Sequence, residues 1–329
     1  MDPSVSPLLD VQHLTTVFDV AGRALRAVDD VSFEVRKGET LGLVGESGSG
    51  KSLTAYSILR LVQPPGRIAS GRVLFQGRDL LALPEREMRK VRGAGIALIF
   101  QEPMTALNPV FTVGDQIAEA MLVHGLATRA EAKRRAVELL DAVRVAEPDR
   151  RVRDYPHQLS GGMRQRVLIA MAIACRPSLV IADEPTTALD VTIQAQILDL
   201  LREMREAFDL SMLLISHDLG IIAGSADRIA VMYAGRLVEQ GPVRDVFRSP
   251  AHPYTKALLA SIPSGATGRR LKAIEGSVPP LTELPRGCAF APRCPDALPQ
   301  CQLEPPPIAD IGPDRVVRCF ACSPFSVLR

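Results

Sequence analysis

The chain has 329 residues, of which 47% are hydrophobic and 23% charged, and 39 basic against 37 acidic side chains give a net charge of +2. This composition excludes a mainly disordered chain, and the length predicts one large domain with an appendage, or two domains. The balanced charge provides no global basic field, so nucleic acid is not an expected partner. The longest apolar run is far shorter than the ~20 residues that span a bilayer, and the N-terminus lacks the pattern of a secretory signal. We therefore expect a cytoplasmic protein.

Strand and helix patterns alternate along most of the chain. Leu8–Phe18 and Ala27–Glu34 are predicted strands joined by a turn near Gly22, and the buried strand Leu41–Val44 leads into a helix that begins near Lys51. Parallel strands that alternate with helices predict an α/β sheet with ligands at the carboxyl ends of the strands. The alternation continues along the chain. A strand–turn region is predicted at Gly66–Gly77, a helical region at Ile117–Val145, and strand–turn–helix units at Leu179–Arg205 and Leu210–Ala223.

The loop before this first helix, residues 45–52, matches the pattern G-x-x-x-x-G-K-[ST] and is called the phosphate loop below. Its glycines let successive backbone N–H groups and the helix N-terminus face a phosphate. The Lys51 ammonium suits the β- and γ-phosphates of a nucleotide, and the Ser52 hydroxyl suits Mg²⁺. The nucleotide contacts predicted here are Gly45, Glu46, Ser47, Gly48, Ser49, Gly50, Lys51, Ser52 and Leu53.

Two adjacent carboxylates, Asp183 and Glu184, follow the apolar residues 179–182. A buried strand would deliver Asp183 to its carboxyl end, where the side chain can hold Mg²⁺ directly or through water. Glu184 can then polarise an attacking water as a general base. Together with the phosphate loop, this pair predicts nucleotide hydrolysis.

Between these motifs, residues 159–163 (LSGGM) precede an apolar helix, so Ser160, Gly161 and Gly162 form a second helix N-terminus suited to an anion. The segment resembles the signature sequence of ATP-binding cassette (ABC) ATPases, with Met163 where glutamine is commoner. Other residues match that family in order and spacing: Gln101 the Q-loop glutamine, residues 188–190 the D-loop, His217 the switch histidine and Phe18 the adenine-stacking aromatic.

The resemblance implies the ABC ATPase fold, an α/β RecA-like core with an antiparallel β subdomain and a helical subdomain at about residues 102–177. This domain would span residues 1–250, and a Cys-rich, loop-dominated C-terminal extension would follow at 251–329. The resemblance also implies that ATP binds Phe18, the phosphate loop, Gln101 and Asp183, with Mg²⁺ on Ser52, Gln101 and Asp183. Glu184, His217 and Lys51 would be the catalytic residues, and Ser160, Gly161 and Gly162 would contact the ATP of a partner cassette.

Longer segments, among them YPHQLSGGMRQR and HPYTKALLASIP, resemble the ATPase subunits of dipeptide/oligopeptide ABC importers, the peptide/nickel transporter ATPase family. The implied partners are a second, non-identical cassette subunit, two membrane-spanning permease subunits and, indirectly, an extracytoplasmic solute-binding protein. The permease loops would meet Gln101–Asn108 and the helices that follow. The protein would then be a peripheral subunit at the cytoplasmic face of the inner membrane, and His252 would cap or pack a helix.

Five of the six cysteines follow residue 287, and because cytoplasmic thiols stay reduced, the cluster predicts a metal site before a disulfide framework. Four thiolates suit either zinc or a [4Fe–4S] cluster. The subfamily resemblance implies an iron–sulfur cluster on Cys288, Cys294, Cys301 and Cys319, with zinc as the runner-up, unliganded thiols as a third reading and Cys322 as an alternative ligand. We expect residues 263–329 to depend on this centre for order, and the phosphate loop to lie in a separate core.

Other functions remain as alternatives. Relatives that import nickel complexes or other small solutes share these motifs. Soluble ABC proteins that do no transport usually carry two cassettes or a long coiled coil, whereas this chain has one cassette and no sustained heptads. A redox-sensing regulator, in which the cysteine tail is the functional part, is a third class.

Overall fold

The computed structural model describes residues 6–187, 189–262 and 274–322. The chain divides into two compact units, the first made of Met1–Leu81 and Ile215–Arg329 and the second of Ala82–Leu214. Within the described ranges, no helix is both long and apolar enough to cross a lipid bilayer.

The elements follow one another in an α/β order. The strands are β1 (Leu9–Val20), β2 (Arg23–Val35), β3 (Thr40–Val44), β4 (Gly66–Phe75), β5 (Arg78–Asp79), β6 (Ile96–Ile99), β7 (Leu179–Asp183), β8 (Ser211–Ser216), β9 (Arg228–Tyr233), β10 (Arg236–Pro242), β11 (Ala309–Gly312) and β12 (Arg315–Val317). The helices are α1 (Lys51–Ile58), α2 (Glu85–Val91), α3 (Pro103–Ala106), α4 (Val113–Val123), α5 (Arg129–Ala142), α6 (Pro148–Arg151), α7 (Gly161–Ile173), α8 (Val191–Ala207), α9 (Leu219–Ser225), α10 (Val243–Arg248), α11 (Pro253–Ala260) and α12 (Gln300–Leu303).

In the first unit, an antiparallel sheet has the strand order β2-β1-β4-β5. The turn between β1 and β2 consists of Ala21 and Gly22, both with positive φ (50° and 75°), as a tight hairpin of matching twist requires. Leu14, Val28 and Val31 are fully buried on this sheet. The structure thus confirms the two strands predicted on either side of Gly22, and β2 starts earlier than predicted because it extends to the hairpin turn.

A second group of strands in the same unit has the order β11-β12-β10-β9-β3. The five residues of β3 are all buried, and β3 pairs in parallel with β9 through Leu41 and Arg228. The C-terminal part of the chain adds β12 to this sheet, since Glu239 of β10 is paired with Val317 of β12. No strand was predicted there, because three- and four-residue strands are too short to show an alternating pattern.

The second unit pairs β6 and β7 in parallel, with β8 next to β7, and α7 packs on β6. The helical spacing predicted over Ile117–Val145 is interrupted, because Gly125 adopts a positive φ of 66° and a new helix starts after Thr128. The Thr128 hydroxyl accepts the Glu131 N–H, and the Glu131 carboxylate accepts the Thr128 N–H. This capping box fixes the start of α5.

Candidate nucleotide-binding site

The phosphate loop lies in the first unit between β3 and α1, as the motif requires. Gly48 and Gly50 have φ of 77° and 101°, which side chains with a Cβ rarely adopt. A Cβ on Gly50 would lie 2.8 Å from the Ala27 carbonyl oxygen, and one on Gly45 would lie 2.1 Å from that of Met232. Both the curvature of the loop and its close contact with neighbouring backbone therefore depend on glycine.

Lys51 is buried at the start of α1, and its ammonium is held by the loop itself. Nζ donates to the carbonyl oxygens of Gly45 (2.8 Å) and Glu46 (3.0 Å). The Ser49 hydroxyl is fully buried and has no hydrogen-bond partner among the described residues. The loop thus contains an ammonium group, a buried hydroxyl and the N-terminus of a helix, and these groups together suit a polyphosphate.

Two further predicted residues belong to this unit. Phe18 is half-buried on β1 opposite Gly66, where a Cβ would lie 2.8 Å from the Phe18 ring. Glycine at this position leaves room beside the ring. His217 is exposed and follows β8 directly, and Asp218 caps α9 by accepting the Gly220 N–H at 2.7 Å. The strand and the cap thus fix the backbone on both sides of the histidine.

In the second unit, Glu184 is held in place by two neighbours. Its Oε2 accepts a hydrogen bond from Gln101 Nε2 (3.1 Å) and another from the Thr187 hydroxyl (2.8 Å). Glu184 has a positive φ of 45°, so the chain turns sharply at the carboxyl end of β7. The structure thus brings two predicted residues, Gln101 and Glu184, into contact. It adds Thr187, which carried no recognised motif.

Asp183 is the last residue of β7 and is fully buried, as predicted for a carboxylate delivered by a buried strand. Carboxylate, hydroxyl and amide oxygens are donors that suit Mg²⁺, and Asp183 and Gln101 offer this chemistry in the second unit, as Ser52 does in the first. Of the residues compared with the D-loop, Ala188 lies outside the described residues, and Asp190 caps α8 by accepting the Ile193 N–H at 3.0 Å.

The signature segment opens α7. Ser160 caps this helix by accepting the Met163 N–H at 3.3 Å, and Gly161 and Gly162 form its first turn. Gly162 packs so closely on Ile193 that a Cβ would lie 2.8 Å from that side chain. The structure therefore confirms the predicted helix start, and a helix N-terminus suits an anion because its first N–H groups have no carbonyl partner within the helix.

The six cysteines form no disulfide. Burial raises the pKa of the Cys288 and Cys294 thiols, that of Cys294 to about 11, and in both cases neighbouring thiols contribute. A hydrogen bond from the Cys322 thiol lowers the pKa of Cys319. The tail thiols are thus neighbours, but no group of three or more His, Cys, Asp or Glu in the described part of the chain is arranged to hold a metal ion.

The predicted iron–sulfur cluster therefore finds no support in this arrangement. Residues 263–273 and 323–329, which belong to the tail prediction, lie outside the described residues.

One expectation about the tail is wrong. The phosphate loop was predicted to lie in a core separate from the extension, but Arg293 of the extension binds the Glu46 carboxylate through both terminal nitrogens, at 2.7 and 3.0 Å. The Tyr254 hydroxyl accepts the Glu46 N–H at 2.9 Å. Neither contact was predicted, because no local spacing relates residues more than 200 positions apart.

Comparison with known proteins agrees with these motifs. Residues 28–187 match the family described as ABC transporter, and residues 238–301 match the oligopeptide/dipeptide transporter C-terminal region. A dimeric ATP-binding cassette solved in a post-hydrolysis state with ADP and Pi is 27% identical, with a TM-score of 0.65, over 72% of this chain and 99% of that one.

Curated relatives are similar along nearly the whole chain. A probable peptide ABC transporter ATP-binding protein of Sinorhizobium fredii is 52% identical over 97% of this chain and 96% of its own length. A dipeptide transport ATP-binding protein of Haemophilus influenzae is 51% identical over 95% of this chain and 94% of its own length. An oligopeptide transport ATP-binding protein of Bacillus subtilis is 50% identical over 96% of this chain and 97% of its own length. With its phosphate loop, its signature helix and half of its sequence in common with these proteins, the chain belongs to the peptide-transporter branch of the ABC transporter ATP-binding protein family.

Proposed function

We propose that this chain hydrolyses ATP and that the hydrolysis powers the import of di- and oligopeptides through a membrane ABC transporter. The observation that carries the proposal is the phosphate loop, in which Lys51 donates hydrogen bonds to two carbonyl oxygens of the loop. The relatives of the chain are named peptide transport ATP-binding proteins. Those names favour peptides over nickel complexes as cargo. The nucleotide-binding domain is assigned to residues 1–250 and the extension to residues 251–329.

Each residue has a role in this reaction. The phosphate-loop N–H groups and Lys51 bind the polyphosphate, and Phe18 stacks on the adenine. Glu184 accepts the proton of the attacking water, while Gln101 and Thr187 hold its carboxylate in place. His217 contacts the γ-phosphate. Mg²⁺, when bound through Ser52, Gln101 and Asp183, neutralises phosphate charge, so catalysis consists of positioning and electrostatic stabilisation.

The signature helix supports a partnership with a second cassette. One chain carries one phosphate loop and one additional helix N-terminus for an anion, at Ser160, Gly161 and Gly162. We infer that these residues contact the ATP bound to a second, non-identical cassette subunit, and the solved cassette that this chain resembles is dimeric. The isolated chain would then hydrolyse ATP slowly.

Exposed apolar side chains in the second unit support docking to membrane subunits. Met104, Val110, Phe111, Leu122 and Val123 are all exposed, with Val110 70% and Phe111 52% accessible. They lie between Gln101 and the end of α4, and Phe111 and Leu122 line the surface of one cavity. An exposed apolar surface of this kind indicates a protein contact. We propose that this surface receives the cytoplasmic loops of two permease subunits at the inner membrane, to which the solute-binding protein delivers the peptide.

Replacing Phe111 by aspartate tests this assignment. The variant should no longer co-purify with the permease subunits, because a charge placed in an apolar contact must be desolvated without a partner. Leu303→Asp, at an exposed side chain at the end of α12, is the matched control and should co-purify normally. The wild-type complex should hydrolyse ATP faster than the isolated chain. Normal co-purification of the Phe111 variant, or full activity of the isolated chain, would contradict the proposal.

We propose an iron–sulfur centre in the extension on the chemistry of its thiols alone, because Cys288, Cys294, Cys301 and Cys319 form no disulfide. Protein purified anaerobically should contain iron and absorb near ~400 nm, as thiolate-ligated iron–sulfur clusters do. Cys294→Ser should lose both signals, whereas Cys175→Ser, in the body of the chain, should keep them. Zinc without iron would assign the site to zinc, and the absence of both metals would overturn the centre altogether.

A further inference from the structure

The C-terminal extension forms an ion pair with the phosphate loop. The side chain of Arg293 is only 5% exposed, and its guanidinium binds the half-buried Glu46 carboxylate in a two-point arrangement. Such forked pairs fix the orientation of both groups, which a single contact between flexible side chains does not. Because Glu46 is the second residue of the phosphate loop, the ion pair acts directly on the nucleotide site.

Arg293 itself is fixed by the extension around it. Its nitrogens also donate to the carbonyl oxygens of Glu275 (2.9 Å) and Gly276 (3.3 Å) and to the Tyr233 hydroxyl (3.3 Å). Its Cζ lies 6.0 Å from the centre of the Phe290 ring. A guanidinium with this many partners has little freedom, so it presents a stationary positive charge to Glu46.

A second contact holds the backbone of the same residue. The Tyr254 hydroxyl accepts the Glu46 N–H, and the Tyr254 ring packs on Tyr233 and Phe290 with centroids 4.6 and 5.4 Å apart. Tyr254 is in turn placed by His252, whose Nδ1 accepts the Tyr254 N–H at 3.0 Å and caps α11, confirming the predicted cap. Burial lowers the pKa of His252 to about 3, so the ring stays neutral, and the hydrogen bond from the Tyr254 N–H requires that Nδ1 be the nitrogen without the proton.

These contacts reach the nucleotide-binding lysine through Glu46. The Glu46 carbonyl oxygen accepts both Lys51 Nζ (3.0 Å) and the Ser49 N–H (3.2 Å). The position of the Lys51 ammonium therefore depends on the position of the Glu46 backbone. Without Arg293, the Glu46 carboxylate would stand as an unbalanced negative charge beside a site that binds a polyphosphate.

We propose that Arg293 is a positioning residue for ATP binding: it neutralises and orients Glu46, and so makes the ATP affinity of the phosphate loop depend on the C-terminal extension. This inference rests on the proposed function, because it requires that the loop binds ATP. It goes beyond that function by making residues far from the nucleotide motifs, in the extension, part of the binding machinery.

The test compares the two partners of the ion pair. Arg293→Ala leaves Glu46 negative, so the Kd for ATP and the KM should rise roughly 3- to 30-fold, the range expected of one uncompensated charge near the phosphates. The kcat should change less than the KM, because Glu184 and the two residues that hold its carboxylate are untouched. Glu46→Gln removes the same ion pair together with the negative charge, so it should weaken ATP binding less than Arg293→Ala does. Arg293→Ala/Glu46→Gln should bind ATP more tightly than Arg293→Ala alone.

A merely structural role predicts something different. If the ion pair only stiffened the loop, the two single variants would weaken ATP binding equally and the double variant would not recover. That result, or unchanged affinity in Arg293→Ala, would overturn the inference. Arg286→Ala, an exposed arginine of the same extension, is the matched control and should bind ATP normally.

Direct binding of a fluorescent ATP analogue to the full chain separates this inference from the proposed function. Wild-type protein that binds no ATP would reject the function itself, whereas wild-type binding with no difference among the variants would reject only the role of Arg293. If Arg293→Ala does not fold, as judged by its thermal unfolding, Arg293→Lys replaces it. Arg293→Lys keeps the positive charge and loses the two-point contact, so its affinity for ATP should lie close to that of the wild type. A loss of affinity as large as that expected for the alanine variant would contradict the charge-based account.

Discussion

Replacing Glu184 by glutamine is expected to leave ATP binding intact and to lower the turnover of the assembled transporter by about 10²- to 10⁴-fold, the usual contribution of a general base. The amide oxygen of glutamine can still accept the hydrogen bonds that Gln101 and Thr187 donate to Glu184. The site thus keeps its geometry while the attacking water loses its proton acceptor. Single-turnover hydrolysis and equilibrium ATP binding, measured on the same preparation, separate the two effects.

Glu138→Gln, on the exposed surface of α5 in the same unit, is the matched control and should hydrolyse ATP at the wild-type rate. Near-normal hydrolysis by the Glu184 variant would show that Glu184 is not the general base. A loss of ATP binding in that variant would instead indicate that Glu184 supports the nucleotide site structurally.

Lys51→Ala should act on an earlier step, the binding of ATP itself. Charge-assisted hydrogen bonds contribute about 1.5–3 kcal/mol, so losing the ammonium should raise the Kd roughly tenfold to a hundredfold. The loop would also lose the two hydrogen bonds from Nζ to the carbonyl oxygens of Gly45 and Glu46. Titration with a fluorescent ATP analogue measures the change, and exposed Lys90→Ala serves as the control. An unchanged Kd in Lys51→Ala would contradict the assigned site.

Local sequence patterns were enough to predict the main elements of the candidate nucleotide-binding site. The buried strand before the phosphate loop, the capped helix after Ser160 and the buried Asp183 at a strand end were all predicted from short spacings. Each of these depends on neighbours in sequence: an apolar run, a capping serine and glycines that allow close approach. Such features can be read without knowing the rest of the fold.

Contacts between distant parts of the chain could not be predicted in this way. The Arg293–Glu46 ion pair and the pairing of β12 with β10 join the extension to the rest of the first unit, and neither leaves a periodic signal. The break between α4 and α5 was missed for another reason, since helical spacing continues through Gly125. Its local signals were the glycine and the Thr128–Glu131 capping box, which mark a helix end and a helix start.

Peptide uptake by the reconstituted transporter tests the central claim most directly. The complex of this chain with its partner cassette and permease subunits is placed in proteoliposomes, and a labelled oligopeptide is offered with the solute-binding protein. ATP supplied on the cassette side should drive accumulation of the peptide, and the complex carrying Glu184→Gln should show none. Equal uptake without ATP or with the Glu184 variant, or ATP-driven uptake of a nickel complex but of no peptide, would contradict the account.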